Sequence, residues 1–244
     1  MQNEIKIIIN KVRQLLSRVF KHQNEQLPYI VISIVAILIV IGSVNVFIEL
    51  TQNLKTNALA EFDTIITDYI LTYRAPSLTQ YFIYITNIGD VFGYLIVFIL
   101  SNLAFLMIFK NWKYVIQLSV VLVLALSSNL ILKRIINRSR PELEHLVTVE
   151  TLSYPSGHAM TAMAFYGFLI YLFYTFRINP ILKIGIIILL TFLILSIGIS
   201  RIYLGVHFPS DIVGGFIAGF IWVILCALIF NFIRVFRKDP RTKF

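Results

Sequence analysis

A histidine, a carboxylate and an arginine occur close together in the segment from Ser200 to Asp211. Asp211 lies four residues after His207, and Arg201 lies six residues before it. A carboxylate at that spacing can accept the proton on one ring nitrogen of His207 and leave the other nitrogen as a nucleophile. Arg201 adds a planar cation that suits phosphate oxygens. These residue types predict nucleophilic attack on a phosphate group.

Two further clusters of similar character lie at the ends of apolar stretches. Lys133 and Arg140 are seven residues apart, and a helix that continued through both would place the two cations on one face. In the segment 154–158, Ser156 is a natural helix cap, and the free N–H groups at a helix start favour an anion. His158 would point toward the same anion site at the helix start, where it can protonate a leaving oxygen.

Each cluster alone also fits an ordinary interfacial helix end. A basic helix end commonly extends its side chains to the membrane surface, and this is the only role expected for Arg134 and Arg138. The three clusters together favour a phosphate-handling site.

The composition indicates a membrane protein. Of the 244 residues, 58% are apolar and only 14% are charged, and the mean hydropathy is +0.84. A soluble domain carries roughly 25% charged residues, so the excess apolar surface must face lipid. The single cysteine, Cys226, lies in the last apolar run and is expected to serve in buried packing.

Six apolar runs are long enough to cross a bilayer as helices, for which about 20 residues are needed. The predicted fold is all-α, a polytopic membrane bundle of six transmembrane helices plus one interfacial amphipathic helix. The runs are 29–49, 82–108, 113–132, 158–176, 181–200 and 212–233. Because Asn87, Gly89 and Asp90 interrupt the second run, its span proper is expected at about 91–109.

The interfacial helix is expected within 57–73, between the first two spans. Its apolar face would consist of Leu59, Phe62, Ile66, Tyr69 and Tyr73. Such a helix lies in the plane of the interface. Its expected role is that of a connector, and a lid or wall over the site is the alternative.

The net charge of +9 invites a nucleic-acid interpretation, but the distribution of charge argues against it. Lysine and arginine concentrate in an N-terminal arm at 1–27, in a tail at 234–244 and in two short connectors, which is the positive-inside pattern. We therefore expect a six-span domain at 28–233 in the plasma membrane. Both termini would be cytoplasmic and the site extracytoplasmic. No nucleic-acid partner is expected, and the oligomeric state stays open.

The three clusters match the signature motifs of a known family in order and in spacing. They read K-x6-R-P in Lys133 to Pro141, P-S-G-H in Pro155 to His158, and S-R-x5-H-x3-D in Ser200 to Asp211. On these residues the chain resembles the type 2 phosphatidic acid phosphatase superfamily. The resemblance covers about 60–233 and no signature position departs from the pattern.

The resemblance implies a role for each motif residue. His207 would form a phosphohistidine and Asp211 would orient it, while His158 would protonate the leaving group and then activate water. The phosphate oxygens would be held by Lys133, Arg140, Ser156, the Gly157 amide and Arg201. The family needs no metal, and neither a metal nor another cofactor is expected.

The expected function is hydrolysis of a terminal phosphate from a membrane lipid. Compact bacterial members of the family act on undecaprenyl pyrophosphate, phosphatidylglycerol phosphate and phosphatidic acid. Undecaprenyl pyrophosphate is expected first, because an outward-facing site suits recycling of a carrier lipid in cell-wall synthesis. Phosphatidylglycerol phosphate or phosphatidic acid is the alternative. Two other interpretations stay open, namely phosphate transfer to a lipid acceptor and lipid binding or transport without turnover.

Overall fold

The computed structural model describes residues 27–54, 56, 59–149 and 151–236. Within these residues the chain forms eight helices and no strand. The all-α prediction is thereby confirmed for the described part of the chain. The basic arm expected at 1–27 and the tail expected at 234–244 lie almost entirely outside it.

The helices begin and end where local sequence favours it. Proline is the first residue of three of them, where its missing N–H leaves no hydrogen bond unmade. Asp90, Ser156 and Asn179 cap three helix starts with side-chain oxygens. The bounds are α1 Leu27–Asn53, α2 Ala60–Leu71, α3 Pro76–Ile88, α4 Val91–Met107, α5 Lys113–Ile136, α6 Gly157–Thr175, α7 Pro180–Tyr203 and α8 Pro209–Phe236.

Four helices are long and apolar enough to cross a membrane on their own, namely α1, α5, α7 and α8. The pair α3 and α4 qualifies as a fifth span if its 58° bend is counted within one crossing. The break lies at Gly89 and Asp90, where the sequence indicated an interruption. A polytopic membrane protein is thus established, with four to five candidate spans in the described residues.

The remaining predicted span, 158–176, forms α6 at the centre of the bundle. It packs against α5, α7 and α8, and more of its side chains are buried than on the lipid-facing helices. Because its neighbours cover it, α6 accommodates threonine, tyrosine and glycine, which lower its apolar character. Close approach to α8 depends on glycine: a Cβ at Gly215 would lie 2.8 Å from the carbonyl oxygen of Ser156.

The segment 57–73 contains the shorter helix α2, and its predicted location at the membrane interface stays a prediction. Its polar residues Asp63 and Thr67 are buried against the bundle, while Phe62 and Tyr69 are exposed. The helix contacts α7 and α8. Asp63 and Thr67 of α2 therefore face the other helices of the bundle, and Phe62 and Tyr69 face outward.

Candidate active site

The three predicted clusters meet at one end of the helix bundle. There α5 and α7 end, and α6 and α8 begin. A cavity of about 620 Å³ opens among them. Its lining includes Lys133, Arg140, Gly157, His158, Arg201 and His207. The structure thus brings together six of the eight residues that the sequence predicts for the site.

His207 lies in the short connection between α7 and α8. The turn is made by Gly205, whose φ of +77° lies in the left-handed region. A Cβ at Gly205 would also lie 2.6 Å from the carbonyl oxygen of Glu144. The backbone N–H of His207 donates to the carbonyl of Arg201 at 3.2 Å, which ties the histidine to the end of α7.

Asp211, in the first turn of α8, contacts the ring of His207. Its Oδ2 lies 3.3 Å from Nδ1 of His207 and accepts a 2.8 Å hydrogen bond from the N–H of Phe208. Ser153 donates to the same oxygen and lies 3.3 Å from Nδ1. Asp211 does not line the cavity, so it reaches a bound phosphate only through His207.

The electrostatics favour a neutral His207. Burial lowers the pKa of His207 from its ordinary value near 6.5 to about 3, although the Asp211 carboxylate opposes the shift. A neutral imidazole whose Nδ1 proton is held by Asp211 keeps a lone pair on Nε2. That nitrogen lies 3.2 Å from Nη1 of Arg140 at the cavity wall.

Lys133 and Arg140 converge on Thr151, but they do not share a helix as expected. The helix α5 ends at Ile136, and Asn137 adopts a left-handed conformation with φ of 53°, so Arg140 lies in the following loop. Nζ of Lys133 donates to the Thr151 hydroxyl at 2.8 Å, and Nε of Arg140 donates to the Thr151 carbonyl at 2.6 Å. The two cations are therefore brought together by their contacts with Thr151 and not by a shared helix face.

Arg140 is also fixed on its cavity side. Its Nη1 donates to the carbonyl of Val206 at 2.6 Å, which directs the guanidinium toward His207. Burial lowers the pKa of Arg140, and the negative charge of Asp211 opposes this shift. A planar cation held in this way can bind two phosphate oxygens at once.

Arg201 and His158 also line the cavity. Nη1 of Arg201 donates to the hydroxyl of Thr86 at 2.6 Å, and its buried Nε has no hydrogen-bond partner. A buried N–H without a partner is costly and is available to an incoming acceptor. Gly89 leaves room for the ring of His158, since a Cβ there would lie 3.3 Å from its Cδ2.

Gly157 and Ser156 differ in their access to the cavity. Gly157 lines it, and a Cβ at this position would lie 3.0 Å from Oδ1 of Asn129. Ser156 is fully buried and its hydroxyl accepts the N–H of Ala159 at 3.4 Å as the cap of α6. Its predicted contact with phosphate stays a prediction, and its observed contact is structural.

The expectation that Arg138 only extends toward the membrane surface is wrong. Arg138 forms ion pairs with Asp211 at 2.6 Å and with Asp63 at 2.8 Å. Sequence reasoning also missed Asp63 and Ser153. The sequence offered one signal for Arg138, namely its position between the two cations of the first motif. It offered none for its partner Asp63, which lies 75 positions away in α2.

The described residues contain no group of three or more His, Cys, Asp and Glu side chains that could hold a metal ion. The cations that line the cavity are arginine and lysine, which supply hydrogen-bond donors to an anion. The expectation that no cofactor takes part stays a prediction.

Comparison with known proteins identifies the family. The model of the PAP2 superfamily matches residues 114–234. Phosphatidylglycerophosphatase B of Bacillus subtilis strain 168 is 31% identical over 195 residues, which are 79% of this chain and 95% of that relative. Lipid A 1-phosphatase of Rhizobium johnstonii is 29% identical over 110 residues, which are 41% of each chain.

A solved structure shares the fold. The crystal structure of the transmembrane PAP2-type phosphatidylglycerolphosphate phosphatase from Bacillus subtilis superposes with a TM-score of 0.73 at 28% identity, covering 80% of this chain and 96% of that one. The chain belongs to the PAP2 superfamily. It is a lipid phosphatase embedded in a membrane.

Proposed function

We propose that this chain removes the terminal phosphate of phosphatidylglycerol phosphate through a phosphohistidine formed on His207. The observation that carries the proposal is the orientation of this ring. Nδ1 lies 3.3 Å from Oδ2 of Asp211, while Nε2 is next to Arg140, and both His207 and Arg140 line one cavity with Lys133 and Arg201. A phosphorus atom bonded to Nε2 would have its oxygens within reach of Arg140, whose Nη1 lies 3.2 Å from that nitrogen.

In the first step, Nε2 of His207 attacks the phosphorus in line with the oxygen that leaves with the lipid. The P–O bond breaks as the N–P bond forms, and His158 gives its proton to the leaving oxygen. Asp211 stabilises the positive charge that develops on the imidazole. The cations on the cavity wall stabilise the negative charge on the equatorial oxygens.

In the second step, the now neutral His158 accepts a proton from a water molecule. The resulting hydroxide attacks the phosphorus, the N–P bond breaks, and phosphate leaves with the electron pair returned to His207. The Gly157 amide at the start of α6 is a further donor to the phosphate oxygens, because the free N–H groups of a helix start favour an anion.

The lipid character of the substrate is supported by the remainder of the cavity. Tyr94 of α4 and Leu126 and Leu130 of α5 form an apolar wall beside the cations. Such a wall suits the first carbons of a lipid tail while the phosphate occupies the polar end. The Bacillus subtilis relative, 95% of whose length is covered, is named for phosphatidylglycerophosphate. This similarity favours phosphatidylglycerol phosphate as the substrate.

Undecaprenyl pyrophosphate, expected first from the sequence, presents a terminal phosphate of the same charge type. The decisive experiment measures phosphate release by the purified protein from phosphatidylglycerol phosphate, phosphatidic acid and undecaprenyl pyrophosphate. If kcat/KM is highest for phosphatidylglycerol phosphate, the proposal is supported. If kcat/KM is higher for another lipid, that lipid is the substrate and the proposed headgroup is wrong.

The same preparation separates the chemical alternatives. With substrate carrying labelled phosphate, an acid-labile label should be trapped on wild-type protein and not on His207→Ala. Label appearing in an added lipid acceptor would indicate phosphate transfer. Binding of the lipid without release of phosphate would indicate a carrier.

We further propose six crossings within 28–233, with both termini in the cytoplasm and the site at the outer face of the plasma membrane. The crossings are α1, the bent pair α3–α4, and α5 to α8. The basic connectors at 110–113 and 177–183 lie at the end of the bundle opposite the site, which supports this orientation. In a Cys226→Ala background, an impermeant thiol reagent should label Glu142→Cys in intact cells and leave Arg177→Cys unlabelled. The reverse pattern would invert the topology.

A further inference from the structure

The second carboxylate oxygen of Asp211 has a charged partner of its own. Oδ2 contacts Nδ1 of His207 and accepts the N–H of Phe208. Oδ1 accepts a 2.6 Å hydrogen bond from Nη1 of Arg138. Asp211 is 0% exposed, so water does not compete for this oxygen. The carboxylate therefore lies between a histidine on one side and a guanidinium on the other.

Arg138 is held in place from several directions. Its Nη2 donates to Oδ2 of Asp63 at 2.8 Å, and its Nη1 also donates to the hydroxyl of Ser210 at 2.8 Å. The guanidinium carbon lies 4.2 Å from the centroid of the Phe208 ring, a distance typical of cation–π stacking. A planar group bound at both amino ends has one orientation, and it directs Nη1 to Asp211.

Asp63 completes the chain of contacts from a different helix. It is 2% exposed and lies on α2, 147 positions before Ser210. Its carboxylate accepts the backbone N–H of Ser210 at 2.8 Å and the hydroxyl of Ser210 at 2.7 Å. The N–H of Ser210 is in the first turn of α8, where a negative charge is favourable. Asp63 thus caps α8 and pairs with Arg138 at the same time.

We propose that Arg138 and Asp63 are positioning residues of the phosphatase reaction, which set the orientation and balance the charge of Asp211 behind His207. The proposal rests on the proposed role of His207 as nucleophile. Neither Arg138 nor Asp63 lines the cavity, so neither touches the substrate. Their effect is transmitted through the Asp211 carboxylate.

The physical reason is the cost of a buried charge. Without Arg138, the Asp211 carboxylate would keep its burial and lose its cationic partner, which is strongly unfavourable. Rotation of the carboxylate or its protonation would lower this cost, and either response removes the negatively charged acceptor at Nδ1 of His207. Turnover should then fall while substrate binding, which depends on the cavity cations, persists.

The test compares Arg138→Ala and Arg138→Lys with the matched control Arg134→Ala, an exposed arginine of α5. The full-length protein is assayed in detergent–lipid micelles with phosphatidylglycerol phosphate. For Arg138→Ala we expect kcat to fall by roughly 10²-fold, as when a catalytic donor is lost, with KM nearly unchanged. Added guanidinium ion at millimolar concentration should restore part of the kcat of Arg138→Ala and should not raise that of the control.

A merely structural role gives a different result. In that case Arg138→Ala would lower the melting temperature, while kcat per folded molecule and its response to guanidinium would match the control. If Arg138→Ala does not fold, Arg138→Lys decides: its single ammonium cannot reach both carboxylates in the same geometry, so a lowered kcat at unchanged KM supports the proposal. A kcat equal to wild type overturns it.

Asp63→Asn tests the outer end of the chain, with Asp68→Asn on the same helix as its exposed control. Because an amide oxygen still accepts from Ser210, Asp63→Asn removes the ion pair and keeps the cap. Its kcat should fall, and Asp63→Asn combined with Arg138→Ala should be no slower than Arg138→Ala alone. Additive losses would overturn the proposal. If wild type and both control variants release no phosphate from any lipid, the proposed function fails instead.

Discussion

Oδ2 of Asp211 lies 3.3 Å from Nδ1 of His207, at the junction where the last helix begins. The contact spans four positions, but it does not lie within one helix, because α8 begins only at Pro209. The connection between α7 and α8 brings Nδ1 of the ring to the carboxylate and its Nε2 to Arg140, which lines the cavity.

Replacing Asp211 by asparagine tests this contact. We expect Asp211→Asn to lower kcat by about 10⁴-fold, the effect of losing a carboxylate that fixes a catalytic histidine. KM should change little, because Asp211 does not line the cavity. Steady-state kinetics with phosphatidylglycerol phosphate give both values. A fall in kcat/KM that came mainly from KM would place Asp211 in substrate binding.

Replacing Arg140 by lysine tests the need for a planar cation. Lysine keeps the positive charge but cannot bind Thr151, Val206 and a phosphate together, since it lacks the fork of donors. We expect Arg140→Lys to lower kcat/KM by roughly 10²-fold, as for the loss of one preorganised donor. Arg134→Lys, at an exposed position, is the control. Wild-type kinetics for Arg140→Lys would show that charge alone is sufficient.

The pKa of His207 predicts how folding stability depends on pH. The unfolded chain binds a proton at this imidazole as the pH falls through about 6.5, whereas in the folded protein burial lowers the pKa of His207 to about 3. The unfolded state therefore binds more protons in this window. Stability contributed by neutral His207 is fully present above pH 6.5 and is lost as the pH falls toward 3.

The measurement compares the melting temperatures of wild type and His207→Gln in detergent from about pH 8 to about pH 5. Below pH 6.5 the wild type should lose stability relative to the variant by up to about 1.4 kcal/mol per pH unit. Parallel curves across the whole range would contradict the lowered pKa.

The close packing of α8 near the site predicts a stability effect at Gly214. A Cβ there would lie 2.5 Å from the hydroxyl oxygen of Tyr154. Tyr154 is fully buried and contacts Thr51 at 3.1 Å, so its ring cannot move aside without disturbing α1. Gly214→Ala should destabilise the fold by about 1–3 kcal/mol, the usual cost of overpacking.

The matched control is Gly185→Ala on α7. A Cβ at Gly185 meets nothing within 4 Å, and alanine favours a helix over glycine. Its melting temperature in detergent should equal or exceed that of wild type. A melting temperature for Gly214→Ala as high as that of Gly185→Ala would show that the structure places Tyr154 too close to α8.

The sequence alone was sufficient to predict a helical membrane protein and six motif residues that the structure places around one cavity. Long apolar runs mark helices because lipid leaves the backbone no other way to satisfy its hydrogen bonds. Local signals also located the break at Gly89 and the start of α8 at Pro209. The spacing of the third motif also predicted the contact between His207 and Asp211, because the two residues are near neighbours along the chain.

Only the tertiary structure decided the contacts between distant segments. It ended α5 before Arg140 and placed both motif cations on Thr151. It also paired Arg138 with Asp63 and Asp211, 75 and 73 positions away. Periodicity reports which face of a helix is apolar, but the burial of Asp63 depends on a partner supplied by another helix. A buried charge is stable only where such a partner exists, and local sequence does not encode that partner.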